Sequence, residues 1–169
     1  MMKNIVLIGF MGSGKTTIGK SLEEKTDMVF VDTDELIEAY EGCKISEIFA
    51  DKGEAYFRRL ENETLKNLLA STDNKVISTG GGIIINQANI PLLKQLGKVF
   101  YLRIKPETVL ERLEGDKTRP LLIGEDKLVK VEQLMTDRKE LYEMAADKTI
   151  DTDGLSVSEI VGKILEDFT

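Results

Sequence analysis

The chain alternates short apolar runs with longer stretches of helical period. The strand candidates are 4–8, 28–31, 75–78, 98–104 and 147–151. Helical patterns lie between and after them, near 15–26, 33–40, 54–70, 86–96, 106–114, 127–145 and 156–167. The clearest is 54–70, where Phe57, Leu60, Thr64, Leu65, Leu68 and Leu69 fall on one side. Regular β-α alternation with buried strands predicts an α/β fold, a parallel sheet covered by helices on both faces. In such sheets ligands bind at the carboxyl ends of the strands. One stretch, Glu114-Gly115-Asp116-Lys117-Thr118-Arg119-Pro120, breaks the helical period without becoming a strand. It reads as a flexible flap, about 113–126, inserted between two helices. With no repeat, low-complexity tract or long linker, the 169 residues fit one domain, 1–169.

The first strand candidate runs into Gly9-Phe10-Met11-Gly12-Ser13-Gly14-Lys15-Thr16, and a helical pattern follows. This is G-x-x-x-x-G-K-[ST] in the strand–loop–helix setting that the motif needs. Glycines let the backbone curl around a phosphate chain and aim its N–H groups inward, and the helix N-terminus adds partial positive charge. Gly12, Ser13, Gly14, Lys15, Thr16 and Thr17 are the candidate nucleotide site. Lys15 is expected to reach the β- and γ-phosphates, and the Thr16 hydroxyl to ligate Mg²⁺.

Charge sharpens this picture. The chain carries a net charge of −7, which argues against a nucleic-acid or anionic-membrane surface. Any anion site must be a local cluster of cations. There is no histidine, so Ser-His-Asp catalysis, Cys-His catalysis and His-ligated metals are excluded, and proton transfer falls to a carboxylate. The single cysteine, Cys43, is read as a small filler residue. No segment has the length of a membrane span and no cleavable signal is visible, so a cytoplasmic protein is expected.

Further candidates follow the strands. In Asp32-Thr33-Asp34, residues two apart in extended chain point the same way, about 6.5–7 Å apart. One carboxylate could hold Mg²⁺ through water and the other could accept a hydroxyl proton. The competing reading is a helix cap from Thr33 or Asp34, which accounts for one acidic residue but not two. Gly80-Gly81-Gly82 after the third strand suits close backbone approach to a ligand. Arg58 and Glu61 form an i,i+3 pair that could present a guanidinium to a carboxylate, although spacing alone favours a surface ion pair. Arg138 is undistinguished by itself, and Phe49 and Phe57 are more often core than pocket. Arg119 on the flap could swing onto the γ-phosphate and Arg112 could stack on adenine, against a bland reading of solvent exposure. The loop Asp151-Thr152-Asp153-Gly154 reads as a turn, with Ser156 a good N-cap beyond it. In a parallel sheet this loop shares the rim of the phosphate loop, which makes Asp153 a nucleotide-site candidate.

Taken in order, these pieces resemble the shikimate kinase family. The resemblance rests on Gly-Phe-Met-Gly-Ser-Gly-Lys-Thr-Thr at 9–17, Asp-Thr-Asp at 32–34, Ile-Phe at 48–49 and Gly-Glu at 53–54. It continues with Phe-Arg-x-x-Glu at 57–61, Gly-Gly-Gly at 80–82, Arg-Pro-Leu-Leu at 119–122 and Arg-x-x-x-Tyr at 138–142. It implies a P-loop kinase fold with a five-stranded parallel sheet in the order 2-3-1-4-5 and a lid. It also implies transfer of phosphate from ATP, with Mg²⁺, to the 3-hydroxyl of shikimate in aromatic amino-acid (chorismate) biosynthesis. By resemblance, Asp32 reaches Mg²⁺ through water and Asp34 holds the reacting hydroxyl. Arg58 and Arg138 grip the substrate carboxylate, and Glu61 orients Arg58. Gly80, Gly81 and Gly82 offer N–H groups, Phe49 and Phe57 wall the ring, Arg119 comes from the lid and Arg112 packs on adenine. Some relatives carry an arginine in the adenine loop; residues 151–154 here do not, and backbone contacts could replace it. A monomer is expected, without nucleic-acid or membrane partners. The competing functions are a kinase for gluconate or for a nucleoside monophosphate, and a catalytically silent nucleotide-binding module.

Overall fold

The structure is a computed structural model that describes residues 4–71, 74–114 and 126–169. Five strands, β1 (Ile5–Ile8), β2 (Val29–Asp32), β3 (Lys75–Ser78), β4 (Lys98–Arg103) and β5 (Lys148–Asp151), form one sheet in the order β2-β3-β1-β4-β5. Every pairing is parallel, with Ile5 beside Val76 on one side and Lys98 on the other. The helices are α1 (Lys15–Lys25), α2 (Thr33–Glu41), α3 (Ile45–Lys52), α4 (Glu54–Leu69), α5 (Asn89–Leu96), α6 (Pro106–Leu113), α7 (Lys127–Ala145) and α8 (Val157–Phe168). The sheet order implied by the resemblance is the order observed.

Side-chain alternation along the strands divides the core into two layers. Ile5 and Leu7 of β1 pack with Val76, Phe100, Leu102 and Ile150 against α1 and α8. Val6 and Ile8 pack with Ile77, Val99 and Tyr101 against α4, α5 and α7. All four β1 side chains are fully buried, as the central strand of a two-sided sheet requires. A smaller cluster of Ile37, Ile48, Phe57 and Leu60 joins α2, α3 and α4 away from the sheet. At the outer edge of β2 the Phe30 N–H donates to the Glu23 carboxylate at 2.9 Å.

Three expectations change. Residues 45–52 form α3, a two-turn helix whose few apolar positions, Ile45, Ile48 and Phe49, are too short a series to show a period. The pattern read as helix from 86 begins its helix at Asn89, because 81–88 is spent in turns. The cap of α2 is Asp32 itself, rather than Thr33 or Asp34: its carboxylate accepts from the N–H groups of Asp34 and Glu35 at 2.8 and 3.3 Å. Ser156 caps α8 as expected, within a full capping box with Glu159. Of the flap expected over about 113–126, residues 115–125, Arg119 among them, lie outside the described residues.

Candidate active site

β1 lies between β3 and β4; the chain leaves it for β2 on one side and later returns past it from β3 to β4 on the other, so the carboxyl end of β1 is the point where the sheet order reverses. The phosphate loop is at that point. Gly14 lies in the left-handed region at φ 94° and starts α1, a conformation that side-chain-bearing residues rarely adopt. Lys15 is buried, and its ammonium donates to the carbonyls of Gly9 and Phe10 at 2.7 and 3.0 Å and to Ser13 Oγ at 3.3 Å. A cavity of about 390 Å³ opens on this loop, lined by Gly12–Ile18, Asp32, Asp34, Ser78, Thr79, Gly80 and Gly81. Apolar side chains, Leu113, Leu155, Val157 and Ile160, line it as well, together with Arg112. The Arg112 guanidinium donates to the Gly12 carbonyl at 2.8 Å, which ties α6 to the phosphate loop. Asp153 does not line this cavity; its carboxylate accepts from Lys105 N at 2.9 Å and from the Thr108 hydroxyl, and so joins the loop after β5 to the start of α6.

A second cavity, about 490 Å³, adjoins the first and shares Asp34, Gly80 and Gly81 with it. Phe49, Phe57, Arg58, Glu61, Gly82 and Arg138 line it, together with Met11, Glu38, Lys44, Ile45 and Ser46. The sheet brings Asp34 to this junction from the first turn of α2, not from an extended strand as the spacing had predicted. Phe49 and Phe57 contact each other with ring centroids 5.0 Å apart, so both serve the small cluster and wall the cavity.

Arg58 donates to Glu61 at 2.8 Å and to Glu54 at 3.2 Å. The expectation of a surface pair is overturned by burial: the Glu61 side chain is only 1% exposed. Glu61 Oε2 is buried without a hydrogen-bond partner among the described residues. Burial pushes the Glu61 carboxyl up to about 7; Arg58 works against this shift and the Asp34 carboxylate adds to it. Side chains of the site crowd two of the glycines. A Cβ on Gly80 would come 2.7 Å from Asp34 Oδ1 and 3.1 Å from Glu61 Oε2, and one on Gly82 would come 2.4 Å from Arg58 Nη1. Arg138, only 5% exposed, sets its guanidinium over the Phe10 ring at 5.5 Å.

Sequence reasoning missed Met11, Glu38, Lys44, Ile45 and Ser46 as cavity residues. Three of them, Lys44, Ile45 and Ser46, lie at the start of α3, the helix it did not find. It also missed the work of Tyr142, quoted only as part of a motif. The Tyr142 hydroxyl donates to the Gly81 carbonyl and its ring stacks on Tyr101 at 4.8 Å. Among the described residues no helix is long and apolar enough to cross a membrane.

A phosphate loop at the reversal of a 2-3-1-4-5 parallel sheet, opening on a second cavity with a shared carboxylate, defines a P-loop kinase. The family model for shikimate kinase matches residues 11–169. A shikimate kinase from Persephonella marina is 48% identical over 97% of this chain and 98% of its own length. Another, from Sulfurihydrogenibium sp., is 47% identical over 97% and 96%. The solved structure of shikimate kinase from Acinetobacter baumannii in complex with shikimate superposes with a TM-score of 0.93 at 39% identity, covering 98% of this chain and 92% of that one. The chain belongs to the shikimate kinase family.

Proposed function

We propose that the chain transfers the γ-phosphoryl group of ATP to the 3-hydroxyl of shikimate, with the phosphate-loop cavity holding ATP and the Arg58–Arg138 cavity holding the acceptor. The observation that carries this reading is the junction: Asp34, Gly80 and Gly81 belong to both cavities. A hydroxyl seated beside Asp34 therefore faces the nucleotide. Its oxygen forms the new bond to the γ-phosphorus, ADP leaves with the bridging oxygen, and the hydroxyl proton passes to Asp34. Gly12, Ser13, Gly14 and Thr17 cradle the phosphates. The Lys15 ammonium exchanges its contacts with the loop carbonyls for phosphate oxygens. Arg58 and Arg138 read the acceptor carboxylate, held in place by Glu61 and by the Phe10 ring, while Phe49 and Phe57 bound the acceptor ring and the 80–82 turn offers N–H groups. Arg112 packs on the base from its anchor on Gly12. Asp153 shapes the loop beside the base, without touching it. Arg119, outside the described residues, is assigned to the transferring phosphate on the family resemblance.

The donor set suits Mg²⁺. Thr16 and Asp32 bring hard oxygens to one cavity, and no cluster of three or more metal-ligating acidic or cysteine side chains occurs among the described residues. That fits an ion that arrives on the nucleotide and keeps its waters. Thr16 and Asp32 would hold it, and when bound it neutralises charge on the phosphates.

The test is ADP release by the purified chain with ATP and Mg²⁺. Release that depends on added shikimate, and is not supported by gluconate or a nucleoside monophosphate, is expected. Release with gluconate or a nucleoside monophosphate alone would reassign the acceptor. Nucleotide binding without turnover on any of them would leave a silent binding module.

A further inference from the structure

Two parts of the acceptor cavity come from distant parts of the chain: Arg138 from α7 and the Gly81-Gly82 backbone from the loop after β3. One buried side chain touches both. Arg138 and Tyr142 are four residues apart on α7 and so share a face. The Tyr142 ring is only 1% exposed and is fixed by its stack on Tyr101 of β4. From that fixed ring the hydroxyl donates to the Gly81 carbonyl, across 61 residues of sequence. The Arg138 guanidinium interacts with the same hydroxyl and also sits over the Phe10 ring of the phosphate loop at 5.5 Å. The turn is also held by the Gly80 N–H, which donates to Thr33 Oγ1 at 3.1 Å. Tyr142 is not among the residues lining either cavity.

We propose that Tyr142 is a positioning residue for the acceptor, setting the spacing between the Arg138 guanidinium and the Gly81-Gly82 backbone without touching the substrate. Two groups that recognise one small molecule must be held at a fixed separation, and a hydrogen bond from a ring that cannot shift supplies that constraint. Without the hydroxyl, the Gly81 carbonyl loses its partner and the guanidinium loses a neighbour, while the nucleotide cavity keeps its own supports, Lys15 on Gly9 and Phe10 and Arg112 on Gly12.

This inference rests on the assignment of the Arg58–Arg138 cavity to the acceptor. The test uses the full chain and Tyr142→Phe, which keeps the ring and its stack. The acceptor KM is expected to rise about tenfold, the size of one lost buried hydrogen bond, with the ATP KM within about twofold and kcat within about threefold. In an Arg138→Lys background the same change should raise the acceptor KM by clearly less than it does alone, because the two act as a unit. Acceptor binding is also read by titration calorimetry on the folded fraction, so that a lower yield does not obscure the result. An unchanged acceptor KM, a parallel rise in both KM values with a lowered Tm, or full multiplicativity with Arg138→Lys would overturn the proposal. Arg58→Lys serves as the control: if it too leaves acceptor binding unchanged, the cavity assignment has failed; if it weakens binding while Tyr142→Phe does not, only the role of Tyr142 has.

Discussion

The two cavities are built in opposite ways. The nucleotide cavity is centred on one continuous segment, 12–18, with its phosphate end offering backbone N–H groups, a helix terminus and one lysine. The acceptor cavity draws on the phosphate loop, α2, α3, α4, the turn after β3 and α7, and its recognition is done by side chains. Its arginines are surrounded by other groups: Arg58 by two glutamates, Arg138 by a phenyl ring and a phenol. A phosphate chain is the same in every nucleotide, so a generic cradle suffices. A particular hydroxylated acid needs a carboxylate clamp and a shaped wall, held by neighbours on several elements.

Removing the one carboxylate common to both cavities should have the largest effect. Asp34→Asn is expected to lower kcat by about 10²–10⁴-fold, with the ATP KM little changed. Steady-state kinetics checks this, and near-normal turnover would remove Asp34 from the chemistry. Next is Arg58→Lys, which keeps charge but loses the planar fork. It should raise the acceptor KM by roughly 10–100-fold and leave that for ATP alone. Equal damage to both constants would erase the contrast between the cavities. A purely steric version is Gly82→Ala, whose new methyl displaces the Arg58 guanidinium; about a tenfold rise in acceptor KM is expected, again without an ATP effect.

A pH measurement probes the buried side of the contrast. Glu61 ionises near 4.5 when unfolded and near 7 when folded, and it is faced by Arg58, Asp34 and Arg138. Between those values the folded protein holds the extra proton, so this contribution to stability is full below 4.5, is lost as pH rises towards 7, and is level above. Glu61→Gln cannot ionise. The stability of wild type relative to this variant should therefore fall by roughly 3 kcal/mol across that window, read from denaturant unfolding at stepped pH. A difference independent of pH would mean that the Glu61 carboxyl is not raised by folding. The smallest effect is expected from Asp153→Asn, which loosens a loop beside the base. The ATP KM should rise by less than about threefold, because only a loop contact weakens.

How far each cavity could be read in the sequence follows from its construction. The phosphate loop is contiguous, so its motif picked out residues 12–17 as one stretch, and all of them line one cavity. The strands were legible because both faces of the sheet are covered, so Ile5-Val6-Leu7-Ile8 has no polar position to obscure it. In the acceptor cavity, Asp34 and the glycines 80–82 stood out from their patterns, but the arginines and aromatic walls were legible only through the family resemblance. Spacing could not tell Arg58–Glu61 from a surface pair, since the difference is the burial of Glu61 between its own helix α4 and the 80–82 turn. Arg138 and Tyr142 show no signal until folding sets them against Phe10 and Gly81. Helix α3, with Lys44 and Ser46 at its start, was too short to carry a period.

The Glu23 carboxylate at the border of β2 bears on how copies of this chain behave when crowded. A sheet that ends in an open row of amides can recruit a strand from a neighbour and grow without limit. Here the outward Phe30 amide is already occupied from within the same molecule, and the carbonyl of an incoming strand meets a negative charge where it needs a donor. The chain thus carries, on the side remote from β5, a stop against edge-to-edge polymerisation. Glu23 does so from the C-terminal half of α1, the same helix whose first turn begins at the phosphate loop.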